Sequence, residues 1–106
     1  MGLTDGRRGR LDIIEGPEGL VLELAGELDL AALPDLAGAL DDLLTRPPQP
    51  VVLEMGNLTF LDSSGVAILV RIANHFGQVR TRSATQPVRR VIEVLGLAGR
   101  FGLDGA

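Results

Sequence analysis

Val51-Val52-Leu53-Glu54-Met55-Gly56-Asn57-Leu58-Thr59-Phe60-Leu61-Asp62-Ser63-Ser64-Gly65-Val66 is the stretch on which the fold turns. Its first five residues form an almost wholly apolar run between Pro50 and Gly56, as in a central strand covered on both faces, with Glu54 the one charged member. From Ser64 to Phe76, Val66, Leu69, Val70, Ala73 and Phe76 recur at helical spacing, and Gly77 is the natural stop. Ile68 and Ile72 widen that apolar arc, which favours broad core contact with a neighbouring helix over an exposed partner-binding strip and leaves Ala67, Arg71, Asn74 and Gln78 for solvent. A buried strand handing the chain to an amphipathic helix predicts an α/β domain.

Upstream, Arg10 to Ala25 reads as a hairpin turning at residues 15–19, with Leu11 and Ile13 on one face of the first strand and Leu20, Leu22 and Leu24 on one face of the second. Leu33, Leu36, Ala37, Leu40 and Leu44 then make a helical stripe. Pro34 fits only the first turn of that helix, and Pro47-Pro48 ends the element. Downstream, Val79 to Ala84 alternates in a polar pattern suited to an edge strand. Thr85 is placed to cap a third helix with Pro87 in its first turn, Val88, Val91, Ile92 and Leu95 as its stripe and Gly96 as its end. Leu97, Phe101 and Leu103 are positioned to dock the remaining tail. The order β-β-α-β-α-β-α predicts a small mixed four-stranded sheet with three to four helices, packed mainly on one face. Residues 1–9 read as a flexible N-terminal tail and residues 10–106 as one domain.

Composition narrows the functions. The chain has 106 residues, 45% of them hydrophobic, enough for one core, and a net charge of −4 that argues against a nucleic-acid partner. It has no Cys and one His, which excludes the Cys- and His-based metal clusters, and no cofactor is expected. Residues 1–10 lack an apolar run and no stretch reaches membrane-spanning length, so membrane insertion is not expected and the cytoplasm is the default location.

Chemistry concentrates at Asp62-Ser63-Ser64-Gly65, where a strand's exit loop meets a helix N-terminus and negative charge is favoured. A Ser at this position ordinarily caps the helix, and Ser64 suits that role, with Gly65 giving the backbone room at the turn. Ser63 as a hydrolase nucleophile lacks a base, because His75, read as a surface residue, lies roughly 16 Å further along the same helix. The G-x-S-x-G elbow is also missing. The expectation is a binding protein, not an enzyme.

Gly26-Glu27-Leu28-Asp29-Leu30, Val51 to Met55 followed by Phe60 to Val66, and Pro87 to Leu97 resemble, in order, the three signature blocks of the STAS family, in particular its anti-sigma factor antagonists. That resemblance implies that Ser63, the Ser immediately after the Asp, is the phosphoacceptor. It implies a partner, an anti-sigma factor serine/threonine kinase that itself binds the ATP, with a serine phosphatase as a further candidate. In its unphosphorylated form the protein would bind the kinase and release a sigma factor. Asp62, Ser63, Ser64 and Gly65 would form the partner surface together with Asp29, whose structural alternative is to cap the first helix. The other reading within the family is a STAS interaction subunit of another assembly, such as a lipid-transport ATPase accessory or a stressosome-like scaffold. Two departures from the family pattern fall at one edge: a short link before the fourth strand, and the polarity of that strand.

Overall fold

The computed structural model describes residues 8–17 and 19–103. In chain order the elements are β1 (Arg10–Gly16), β2 (Gly19–Leu28), a 3-10 turn (Leu30–Ala32), α1 (Leu33–Leu44), β3 (Val51–Leu61), α2 (Ser63–Phe76), β4 (Val79–Arg82) and α3 (Gln86–Val94). The strands make one sheet in the order β1-β2-β3-β4, with β1 antiparallel to β2 and the other two pairs parallel. The expected mixed α/β sheet is therefore present. The expected N-terminal tail falls mostly on residues 1–7, outside the described residues; Arg8 pairs with Asp35 through its guanidinium and with Glu27 through its backbone.

The alternation of the strands sorts their residues cleanly. Leu11, Leu20, Leu22, Leu24, Leu28, Val51, Leu53, Met55, Leu58 and Leu61 point into one core, where they meet Leu36, Leu40 and Leu43 of α1, six apolar residues of α2, and Val88 and Ile92 of α3. Ile68 and Ile72 are among those of α2, so its wide apolar arc is core contact, and Ala67, Arg71, Asn74 and Gln78 are exposed. Phe101 and Leu103 bring the C-terminal segment into the same core, and Thr81 at the β4 edge donates to Gly102 O through its N–H and to Phe101 O through its hydroxyl, at 3.5 and 2.7 Å. That contact blunts an otherwise open sheet edge. Gly102, at φ +63°, permits it: a Cβ there would lie 2.2 Å from Val79 O.

Several details differ from the sequence reading. β3 runs eleven residues rather than five, carried past Gly56 by register shifts against β2 at Glu23/Ala25 and Gly26/Glu27. It is covered on one face only. Val52 and Glu54 lie half-exposed on the other, where Glu54 accepts from Arg82 Nε at 2.6 Å and from Gly56 N at 3.3 Å. In α1 the fully buried residues are Leu36, Leu40 and Leu43, with Leu33 and Leu44 packed partly buried against the core and Ala37 exposed. In α3, Leu95 is 52% exposed, since the helix ends at Val94 and Gly96 turns the chain away at φ +73°. Thr85 occupies the N-cap position of α3 without a side-chain bond. His75 is half-buried, its Nε2 lying 2.7 Å from Arg46 O, and so ties the end of α2 to the segment after α1.

Candidate functional site

β2 and β3 are parallel neighbours, and Leu28 pairs with Leu61 at their C-terminal ends. The next residue on each strand is an Asp, so Asp29 and Asp62 leave the sheet side by side. Each caps the helical turn after it. Asp29 Oδ1 accepts from Ala32 N at 3.1 Å, and Asp62 Oδ1 accepts from Gly65 N at 3.0 Å. Both caps have the extended backbone such positions need, with φ −137° and −110°. Asp62 Oδ2 accepts in addition from Leu30 N at 3.3 Å, and Asp62 N donates to Leu28 O at 3.3 Å. One aspartate thus orders both loops.

This reassigns roles within the motif. The cap is Asp62 rather than Ser64, and α2 begins at Ser63. Asp62, its backbone O included, takes the N–H groups of Gly65 and Val66, so among the first-turn donors those of Ser63 and Ser64 stay unused within the helix. Ser63 is exposed and Ser64 half-buried. Gly65 is buried in the first turn, where a Cβ would lie 2.2 Å from Leu28 O and 2.7 Å from Leu61 Cδ1. It is needed for close approach of helix to sheet and not for a positive φ. Glycine here sets the distance between Ser63 and the loop bearing Asp29.

Two residues at this end carry no signal in the sequence spacing. Leu30, beside Asp29, is 66% exposed, and Phe60, two residues before Asp62, is 48% exposed. The loop end therefore presents a hydroxyl, two carboxylates engaged as caps, and two large apolar side chains facing water. A depression of about 560 Å³ sits at the opposite end of the sheet, where Pro50, Gly77, Gln78, Arg80 and Gly99 are among its lining; among the described residues no nucleophile or carboxylate lines it. Among the described residues no group of three or more His, Cys, Asp or Glu is arranged to hold a metal ion, and no helix is long and apolar enough to cross a membrane.

The chain matches the family model described as "Mlab, STAS domain" over residues 13–103. Among solved structures, it is similar to an anti-sigma factor antagonist from Mycobacterium paratuberculosis, at TM-score 0.73 and 24% identity over 88% of this chain and 82% of that one. It is similar to the anti-sigma factor antagonist SpoIIAA in its unphosphorylated form, at TM-score 0.64 and 25% identity over 86% of this chain and 83% of that one. It is also similar to the Bacillus cell fate determinant SpoIIAA in its phosphorylated form, at TM-score 0.62 and 21% identity over 86% of both chains. With a family match spanning most of the sequence and a sheet and helix order that agrees with it, the chain belongs to the STAS-domain family.

Proposed function

We propose that the chain is an anti-sigma factor antagonist: unmodified, it binds an anti-sigma factor serine kinase, and phosphorylation of Ser63 by that ATP-binding partner ends the binding. The observation that carries this reading is the exposed hydroxyl of Ser63 at the first residue of α2, set beside the capping carboxylates of Asp29 and Asp62 and the exposed Leu30 and Phe60. Apolar area next to a neutral hydroxyl suits a partner that excludes water. Asp29, Asp62, Ser63 and Ser64 form the contact surface, and Gly65 sets its shape from beneath.

Phosphorylation adds about −1.5 to −2 charges at neutral pH beside Asp62 and Asp29. A partner that packs on the neutral surface must then desolvate that charge against two carboxylates, and each 1.4 kcal/mol of penalty weakens the complex about tenfold. The helix itself tolerates the phosphate, because a helix N-terminus favours negative charge by about 0.3–1 kcal/mol at an exposed position. The near-equal likeness of the chain to the unphosphorylated and phosphorylated forms of SpoIIAA, at TM-scores 0.64 and 0.62, supports a switch by charge without refolding.

A second reading, an interaction subunit of another assembly such as a lipid-transport ATPase accessory or a stressosome-like scaffold, is favoured by the family model's description, which names Mlab. Recovery of the chain with its partners from native lysate, followed by mass spectrometry, separates the two. A kinase-type partner with phosphate on Ser63 supports the antagonist. Transporter subunits and an unmodified Ser63 support the second reading.

A further inference from the structure

β2, β3 and β4 run parallel, and all three begin at the end of the sheet farthest from Ser63, where α2 also stops, capped by Gly77. The depression of about 560 Å³ lies at these strand starts and is in the size range of small-ligand sites. The first backbone groups there are spent on one another: Leu20 N donates to Pro50 O at 3.1 Å, and Val51 N to Gln78 O at 3.0 Å. Leu20, Val21, Val51, Val52 and Val79 give the hollow an apolar lining. Gly77 and Gly99 add no side chain to it, and nothing lies within 4 Å of a Cβ built on either, so the space stays open.

Charge at this hollow is one-sided. Nine arginines lie among the described residues, and Arg8, Arg10, Arg46, Arg82 and Arg89 each hold a carboxylate within 4.0 Å. Of the other four, Arg80 and Arg100 both line this depression, and both are exposed. Arg100 donates to Asn74 Oδ1, a neutral acceptor that leaves its charge uncompensated. Two such guanidinium groups thus line one depression in a chain whose net charge is −4. The end of α2 opposes them only weakly: a helix C-terminus carries about half a negative charge, and Gly77 N already binds one of its carbonyls, Ala73 O. We infer that the depression binds a small amphipathic anion, a carboxylate or phosphate group on a short apolar chain. The guanidinium groups take the anion, which their planar N–H forks match, and the valine-rich lining takes the chain. A bilayer lipid, with two long chains, is too large for the space, so the ligand is a free small molecule. The length of β3, roughly 30 Å, separates the site from Ser63, and the inference does not depend on the switch.

Amide chemical-shift titration of the purified chain with hexanoate, hexyl phosphate, hexan-1-ol and inorganic phosphate tests this. Hexanoate and hexyl phosphate should saturate with a Kd on the order of 1 mM, within the reach of ligands of about eight to eleven non-hydrogen atoms. Their shifts should centre on Gly77, Gln78, Arg80 and Gly99. Hexan-1-ol lacks the anion and inorganic phosphate lacks the chain, so each should bind at least about tenfold more weakly than its amphipathic counterpart. Arg80→Gln and Arg100→Gln should each weaken hexanoate about three- to tenfold, as should about 1 M salt in the wild type, with circular dichroism showing the fold kept. Arg80 holds no ion pair among the described residues, so its variant removes the rim charge without breaking one. Hexan-1-ol that binds as tightly as hexanoate, or inorganic phosphate that binds as tightly as hexyl phosphate, overturns the inference. So do shifts centred at the Asp29/Asp62 end, variants that bind as the wild type does, or no saturable binding up to tens of millimolar.

Discussion

Asp62 accepts from the amide of Leu30, 32 residues earlier in the chain, through one carboxylate oxygen and caps α2 at Gly65 through the other. The helix that carries Ser63 and the loop that carries Asp29 are therefore held to one another by a single side chain. Asp62→Ala should destabilise the protein by about 1–2 kcal/mol, the value of a lost N-cap, and should loosen both loops together. Asp62→Asn keeps an acceptor oxygen for the cap and should lose only a fraction of that. Denaturant midpoints at unchanged slope give the energies, and amide exchange at Leu30 and Gly65 reports the loosening.

Two glycine substitutions should act in opposite directions. Gly65→Ala forces a Cβ to 2.2 Å from Leu28 O and should cost about 1–3 kcal/mol while pushing the start of α2 away from β2. Gly38, exposed in α1 with nothing within 4 Å of its Cβ direction, should gain about 0.5–1 kcal/mol as Ala. Thermal unfolding of the two variants beside the wild type checks both signs.

Glu54 supplies a pH dependence. Partial burial works against its charge, but hydrogen bonds from Arg82, Ser83 and the Gly56 amide, with the charge of Arg82, outweigh it and hold the carboxyl below its ordinary value. The folded state therefore binds this proton less readily than the unfolded chain. Stability from the group is complete above the unfolded carboxyl pKa, about 4.3, and is lost as pH falls through the lower folded value. In Glu54→Gln the acid limb of a stability-against-pH curve should be shallower than in the wild type.

Exposed Leu30 and Phe60 predict where binding energy lies. Leu30→Ala and Phe60→Ala should each weaken partner binding by about 1–2 kcal/mol or more while leaving the fold intact, because both side chains are largely in water in the free protein. Isothermal titration with the partner, alongside an unfolding curve for each variant, separates binding from stability.

Local patterns are legible in the sequence. The arc of α2 through Ile68 and Ile72, its stop at Gly77 and the turn of the chain at Gly96 after α3 all follow from helical spacing and the left-handed backbone that glycine accepts, at φ +84° and +73°. Features decided by strand pairing and packing are not. Asp62, Ser63 and Ser64 are all good caps, and the choice falls on Asp62 because β3 ends at Leu61 in register with Leu28. The run Val51 to Met55 looks alike whether one face is covered or two, and only the tertiary packing leaves Val52 and Glu54 on an open face. Leu95 keeps the helical phase of Val88 and Ile92, yet α3 stops before it, so it stays exposed.

The most direct test of the proposed switch is the affinity of the cognate anti-sigma factor kinase for the chain before and after that kinase has phosphorylated it, with the modified residue mapped. A charge switch at Ser63 predicts phosphate on that residue, a loss of affinity of at least a hundredfold, about 2.7 kcal/mol or more, a similar direction for Ser63→Asp, and retained binding for Ser63→Ala. Equal affinity of the two forms, or phosphate confined to another residue, would contradict it.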